Sequence, residues 1–227
     1  MMNYTKWNDP KTYERMTAEL AAYTVPETPI FAARDDEHIE HSRVQYCMTS
    51  VDELRELLDS VDYAIVEQVA CSKYLNSLQI FEYITLRGYD VDRPKLRKRI
   101  LKLMKYRVIQ ENEMVSAGAE HGLKYYELDY FGYQLALEQG VNFHMGNRYV
   151  SFSKRREKGM PDDTACDVKR ILVGNQIILN LMMSNTQMQR FGIMETMRAT
   201  NLELAGSSCM IRTAATVKID NTSVLAY

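Results

Sequence analysis

The chain has 227 residues, of which 46% are hydrophobic, and its formal net charge at pH 7 is -2. This hydrophobic content excludes a chain that is disordered throughout, and no apolar run reaches the roughly 18 residues that span a bilayer. The first residues lack the charged-then-apolar layout of a secretory signal, and the four scattered cysteines form no Cys-x-x-Cys pair. Such cysteines suit a reducing compartment, so the composition predicts a cytoplasmic protein without a membrane partner.

Residues 1–50 are predicted to be an N-terminal extension that holds one helix, over about residues 9–23, and an acidic loop. The stretch 34–62 contains nine Asp or Glu against three Lys or Arg. A DNA backbone would repel it, so we expect it on the far side of the protein or against a partner subunit. His38 and His41 lie among these acidic residues, but no third ligand set accompanies them, which favours a solvated loop over a metal site.

Three short helices are predicted ahead of the most basic segment of the chain. Ser50 and Glu53 have the spacing of a capping box at the start of the first helix. Asn76 or Ser77 can cap the third helix, which Gly88 ends. The expected ranges are 51–58, 61–70 and 78–86.

The segment 93–107 carries the strongest functional signal, with eight Lys or Arg and no acidic residue. It reads as a helix with Asp92 as its cap and Pro94 at its first position. A lysine-rich surface helix is the alternative interpretation, but solvated helices normally mix charge signs. A one-signed face therefore indicates a polyanionic partner. At 100° per residue, the apolar face comprises Leu96, Ile100, Leu103 and Met104, and the basic face comprises Lys95, Lys98, Lys102 and Lys105, with Arg99 at its edge.

A β-hairpin is predicted to follow the basic helix. Residues 107–114 and 123–128 have strand character, and residues 116–122 are small and contain two glycines, which suits a loop tip. Asp129 can then cap a closing helix that ends at Gly140. Helix, turn, basic helix and hairpin is the order of elements in a winged helix-turn-helix domain.

Residues 61–140 resemble the winged-helix DNA-binding domains of bacterial regulators such as the PadR and MarR groups. The motif at 126–128 (YEL), followed by Gly132 and Leu135, is similar to their exit from the wing into the closing helix. The resemblance implies that residues 51–140 form a winged-helix domain.

The same resemblance implies that this domain binds double-stranded DNA through the basic helix. Bases are read best by bidentate Arg or by Asn and Gln, so a lysine-rich face predicts binding to the backbone more clearly than a particular sequence. The expected contacts are Lys95, Lys98, Arg99 and Lys102 in the major groove, Arg97, Lys105 and Arg93 at phosphates, and His121 and Lys124 on the wing.

Residues 141–163 are predicted to be a basic linker. Lys154, Arg155 and Arg156 form a cluster within it. This cluster is either a second phosphate contact or a soluble connection between domains, and both interpretations remain open.

Residues 164–227 are predicted to form a smaller, incomplete α/β domain. Thr164 and Asp167 can cap a long helix, and two strands are joined through a tight turn at Asp220 and Asn221. Because the chain stops within the second strand, we expect a truncated domain or an edge strand that a partner completes. The expected ranges are 168–183 for the helix, 206–208 for a Gly-Ser turn, and 210–219 and 222–227 for the strands.

This second part resembles the replication-relaxation family of plasmids and mobile elements, whose members join a winged helix to a small domain of restriction-nuclease shape. The likeness rests on the segments 171–181 and 211–227. Nucleases of that fold bind a divalent metal through an Asp on one strand and a Glu-x-Lys on the next. Here the Asp position falls at 213–215 (TAA), and no Glu-x-Lys follows. The resemblance therefore implies a binding domain without catalytic residues, metal or cofactor.

Two functions follow as hypotheses. The first is a DNA-binding accessory factor for replication or transfer of a bacterial plasmid or mobile element. The second is a dimeric transcriptional regulator whose C-terminal part senses a ligand or dimerises. An enzyme is the least favoured class, since no Ser-His-Asp set, Gly-rich phosphate loop or His-Glu-x-x-His motif is present. In both hypotheses the partners are double-stranded DNA and, as a homodimer, a second copy of the chain.

Overall fold

The computed structural model describes residues 36–42, 44–116, 122–141 and 164–184, and the backbone of five strands between 189 and 226. It has the predicted α+β composition. The predicted N-terminal helix and basic linker lie outside the described residues. In chain order the elements are β1 (His38–His41), α1 (Val51–Leu57), α2 (Ser60–Ser72), α3 (Ser77–Leu86), α4 (Arg93–Lys105), β2 (Ile109–Val115), β3 (Leu123–Leu128), α5 (Tyr130–Glu138), α6 (Ala165–Ser184), β4 (Gln189–Arg190), β5 (Thr200–Leu204), β6 (Ser207–Ile211), β7 (Ala215–Ile219) and β8 (Thr222–Ala226).

Short polar side chains decide where the helices begin. The Ser50 hydroxyl accepts the backbone N–H of Glu53, whose carboxylate in turn accepts the Ser50 N–H at 2.9 Å. Asp92 accepts the backbone N–H of Lys95 at 2.7 Å and so starts α4. Each such cap stabilises its helix by about 1 kcal/mol. The structure confirms the predicted caps at Ser50, Asn76, Asp92, Asp129 and Thr164.

The first three strands form one antiparallel sheet in the order β1-β2-β3. β2 and β3 are the strands of the predicted hairpin, with Ile109 opposite Leu128. Leu75, between α2 and α3, forms a β-bridge with Tyr126 of β3, and its backbone N–H donates to the Tyr126 carbonyl at 3.2 Å. This bridge attaches the connection between two helices to the hairpin, so the helices and the sheet enclose a common core.

Residues 38–41 form strand β1 where we expected an acidic loop. Ile39 lies opposite Met114 of β2 and packs against the apolar cluster to which Met114 belongs. Glu37, just before the strand, forms an ion pair with Lys169 of α6, and both side chains are buried. The strand forms because its apolar residue reaches the core and the adjacent carboxylate has a cation inside the protein. Counting charges along the sequence reveals neither the apolar contact of Ile39 nor the buried ion pair of Glu37.

The turn between α4 and β2 is held by α5. Arg107 has a φ of +55°, which ends α4 two residues earlier than predicted. Phe131 donates its backbone N–H to the Arg107 carbonyl at 3.0 Å, and Asp129 donates to the Val108 carbonyl at 3.0 Å. A Cβ at Gly132 would lie 1.9 Å from the Val108 carbonyl oxygen. Only glycine permits this approach of α5 to the start of β2.

Helix α6 packs against α3 and against the residues that precede the bridge at Leu75. The Gln79 side chain donates to the Leu172 carbonyl at 2.7 Å, and Asn175 donates to the Tyr74 carbonyl at 2.8 Å. These contacts cross the predicted boundary at residue 164. The α6 side chains that are buried in the two apolar clusters are Val168, Ile171, Leu172, Ile178 and Leu179.

The remaining strands form two small antiparallel sheets, β4-β7-β8 and β5-β6. The register pairs Ile219 with Thr222, so β7 and β8 are the paired strands that were predicted on the two sides of residues 220–221. The single strand expected over 210–219 is instead divided between β6 and β7. β6 begins at Ser207, where a turn was predicted, because β5 supplies pairing partners that local propensity does not reveal.

Candidate nucleic-acid interface

Helix α4 turns its apolar stripe inward, as predicted, and five of its seven basic residues outward. Leu96, Ile100, Leu103 and Met104 are each at most 4% exposed. These side chains join α4 to the common core, which fixes the direction of the opposite face. The basic residues fall into two groups: Arg93, Lys95, Arg97, Lys98 and Lys105 are exposed, whereas Arg99 and Lys102 are half-buried.

Arg99 and Lys102 are held by two carboxylates at the start of α2. The Arg99 guanidinium Nη1 lies 2.7 Å from Asp59 Oδ2 and 3.0 Å from Asp62 Oδ1. The Lys102 ammonium lies 2.8 Å from Asp62 Oδ2 and donates to the Leu57 carbonyl at 2.9 Å. We name these four charged side chains (Asp59, Asp62, Arg99 and Lys102) the α2–α4 ion cluster. The structure thus places two of the predicted groove-facing residues against α2.

Burial explains why the α2–α4 ion cluster is held together. The Asp62 side chain is fully buried, and a buried carboxylate is tolerated only with cations and hydrogen bonds around it. At Asp59 burial opposes ionisation, but the hydrogen bonds from Arg99 and from backbone N–H groups hold the pKa below its usual range. The cluster therefore fixes α4 relative to α2.

The other basic residues of α4 remain at the surface. Lys95 lies 3.1 Å from Asp92 in an exposed pair, which solvent screens strongly. The Arg93 guanidinium stacks over the Phe81 ring, 5.5 Å from its centroid. Arg97, Lys98 and Lys105 make no ion pair with any residue that the structure describes. These cations form the surface that is available to an anionic partner, and we call the set Arg97, Lys98 and Lys105, with Lys95 beside it, the α4 cationic face.

The predicted wing contributes acidic groups rather than a free cation. Lys124 of β3 lies 3.2 Å from Glu111 and 3.8 Å from Glu113 of β2, so its charge is matched within the hairpin. Burial opposes ionisation of Glu111, yet hydrogen bonds from Tyr126, Ser42 and Lys124 keep its pKa below the usual range. Burial, followed by the nearby Glu111 charge, raises the pKa of the Tyr126 hydroxyl. The described part of the hairpin therefore offers little attraction to phosphate.

The remaining candidate residues fall into two groups. Lys154, Arg155 and Arg156 and the predicted wing residue His121 lie outside the described residues. His38 and His41 bind different partners, Glu40 and Asn112 respectively.

Within the described ranges, no helix has the length and hydropathy needed to cross a membrane.

The functional residues that sequence reasoning missed are Asp59 and Asp62. Their spacing of three matches that of Arg99 and Lys102, so each pair lies on one side of its helix. That matched spacing is a detectable signal, but it says nothing about whether the two helices meet.

Comparisons of the chain with models of protein families, with curated proteins and with solved structures found no match. What the chain can do is therefore read from its own side chains. The α4 cationic face can bind a polyanion. Among the described residues, no group of three or more His, Cys, Asp or Glu could hold a metal ion.

Proposed function

We propose that the chain binds double-stranded DNA through the α4 cationic face, in a winged helix-turn-helix domain. The observation that carries the proposal is the position of α4. It follows α2, the bridge at Leu75 and α3, precedes the β2-β3 hairpin, and exposes a one-signed surface. In helix-turn-helix proteins the helix at this position lies in the major groove.

The dimensions of α4 support this docking. Thirteen residues make a helix of about 20 Å, and the major groove, about 12 Å wide, admits one α-helix. The buried stripe lies on the opposite side of α4, so the cationic face can approach the groove without opening the core. Arg97 and Lys98 lie about two turns before Lys105 along this side, and the three can follow the phosphates of one groove wall.

The proposed binding is electrostatic and of limited extent. Lys124 is neutralised by the hairpin, and Arg99 and Lys102 are held in the α2–α4 ion cluster. The α4 cationic face then supplies three or four cations, and each phosphate contact contributes roughly 0.9 to the salt slope. We expect the logarithm of the association constant to fall with the logarithm of salt concentration with a slope of about -3 to -4.

The narrower role that we propose is that of an accessory factor in replication or transfer of a plasmid or mobile element. It rests on the resemblance carried by residues 171–181 and 211–227. The alternative is a dimeric transcriptional regulator. An accessory factor should protect repeated sites at an origin as a sequence-directed binder, whereas a regulator should protect a palindrome and change its affinity for that site when a small molecule binds.

The test of DNA binding is a double substitution, Arg97→Ala with Lys98→Ala. Fluorescence anisotropy with a random-sequence duplex should show weaker binding and a salt slope shallower by about 1.8, because two phosphate contacts are lost. The matched control is Arg55→Ala with Arg87→Ala, which removes the same charge from exposed positions on α1 and after α3. The control should keep the wild-type slope.

Two results would contradict this proposal. One is a double variant that binds the duplex as the wild type does. The other is a control pair that loses as much affinity as the α4 pair, since that would indicate a response to net charge rather than contact by α4.

A further inference from the structure

We propose that Leu101 reads the C5-methyl group of thymine, so that the DNA site under α4 includes a T·A pair beneath this residue. The inference rests on the proposed function and adds a specificity-determining residue to it. A lysine-rich face does not explain how α4 distinguishes one base pair from another, and the inference addresses this question.

Leu101 lies outside the apolar stripe that anchors α4. It is 46% exposed, whereas the four core residues of the helix are at most 4% exposed. Arg97 and Lys98 lie one turn before it and Lys105 one turn after it, on the same side of the helix. Among the described residues of α4, Leu101 is the only large apolar side chain with this exposure.

The α2–α4 ion cluster determines what surrounds Leu101. Arg99 and Lys102 have long side chains that could cover the outward surface of α4, but both are bound to the carboxylates of α2. Because these two side chains are held at the edge of α4 that faces α2, the side of α4 opposite its buried stripe presents Lys98, Leu101 and Lys105. In the proposed docking, Leu101 is therefore between two cations that reach phosphates and faces the floor of the groove.

The chemistry of the major groove leaves one partner for such a side chain. Base edges there present hydrogen-bond donors and acceptors, and the C5-methyl group of thymine is the apolar group among them. A single exposed leucine on a helix is common and needs no partner by itself. Leu101, however, lies between cations on the surface that approaches DNA, so it loses water when the DNA binds. Only the thymine methyl group offers an apolar contact that compensates for this loss of water.

The test compares an alternating A·T duplex with the same duplex in which uracil replaces thymine, since this exchange removes only the methyl group. The wild-type protein should bind the uracil duplex about fourfold more weakly, the equivalent of ~0.8 kcal/mol for one buried methylene-sized group. Leu101→Ala should bind both duplexes equally. Leu137→Ala, which shortens an exposed leucine on α5, should retain the wild-type difference.

The outcomes separate this inference from the proposed function. Equal wild-type binding to the two duplexes, with a salt slope that still depends on Arg97 and Lys98, would overturn the thymine contact and leave DNA binding intact. A Leu101→Ala variant that keeps the fourfold difference would overturn the assignment to Leu101. Absence of salt-dependent binding to either duplex would overturn both proposals.

Discussion

Replacing Asp62 by Asn should destabilise the fold and, at the same time, make DNA binding more salt-dependent. Asp62 is fully buried and accepts from Arg99 at 3.0 Å and from Lys102 at 2.8 Å. Asn keeps the shape and one acceptor oxygen, which preserves the weak 3.4 Å bond from the Asp59 N–H. It removes the charge that holds the two cations.

The size of the loss follows from the exposure of the partners. Removing one member of a fully buried ion pair costs about 3–5 kcal/mol. Here the side chains of Arg99 and Lys102 are 27% and 30% exposed, so solvent recovers part of their charge. Arg99 also keeps Asp59, and Lys102 keeps the Leu57 carbonyl. We therefore expect a loss of about 2–3 kcal/mol, or roughly 5–10 °C in Tm for a chain of this size.

Urea denaturation of the full chain, followed by circular dichroism, measures the free energy of unfolding. The control is Glu67→Gln on the same helix, which breaks an exposed pair with Arg87 and should cost less than about 1 kcal/mol. In anisotropy titrations, Asp62→Asn should steepen the salt slope by about 0.9, since Lys102 loses its carboxylate and becomes free to reach a phosphate, while Arg99 stays paired with Asp59.

Two results would refute this reasoning. If Asp62→Asn were as stable as Glu67→Gln, the α2–α4 ion cluster would not hold the two helices together. If stability fell while the salt slope stayed the same, Lys102 would not be kept from DNA by Asp62.

Two further substitutions test the interior of the fold. Glu82→Gln should raise Tm at pH 7, because burial raises the pKa of Glu82 above its ordinary value of 4.5 and the ionised form is disfavoured in the folded state. This gain should shrink as the pH falls from the raised pKa towards 4.5 and vanish below it, where Glu82 is neutral in both states. A gain in Tm that is independent of pH would contradict this explanation. Gly132→Ala should cost about 3 kcal/mol in urea denaturation, because its Cβ would meet the Val108 carbonyl. Gly140→Ala, with φ +65° and open space, should cost only about 1–2 kcal/mol, so equal losses would argue against the close approach of α5.

Local signals predicted most of the helices and the hairpin. Asp92 caps α4 and Gly140, with its positive φ, follows α5, because these residues act through backbone groups a few positions away. The apolar stripe of α4 was likewise readable from spacing alone, since a helix that packs on a core has one apolar side. Each of these features depends on neighbours within one or two turns.

Contacts between distant segments could not be predicted in this way. Gln79 and Leu172 are 93 residues apart, and Glu37 and Lys169 are 132 residues apart. Nothing in the spacing of either segment indicates the other, so the sequence alone predicts a second domain that includes α6 and a loop around His38. The pairing of Arg99 with Asp62 could not be predicted for the same reason, because a helical projection treats every polar side chain as if it faced water.

The ion cluster changes what the one-signed charge of α4 implies. That charge predicts a polyanionic partner. However, two carboxylates of the chain itself, Asp59 and Asp62, already bind two of the seven basic residues of the helix. The remaining cations still repel one another at separations of three and four residues, and the described structure gives Arg97, Lys98 and Lys105 no carboxylate. These three residues are therefore the ones that an external anion could meet, because the internal carboxylates determine which of the seven basic residues face outward.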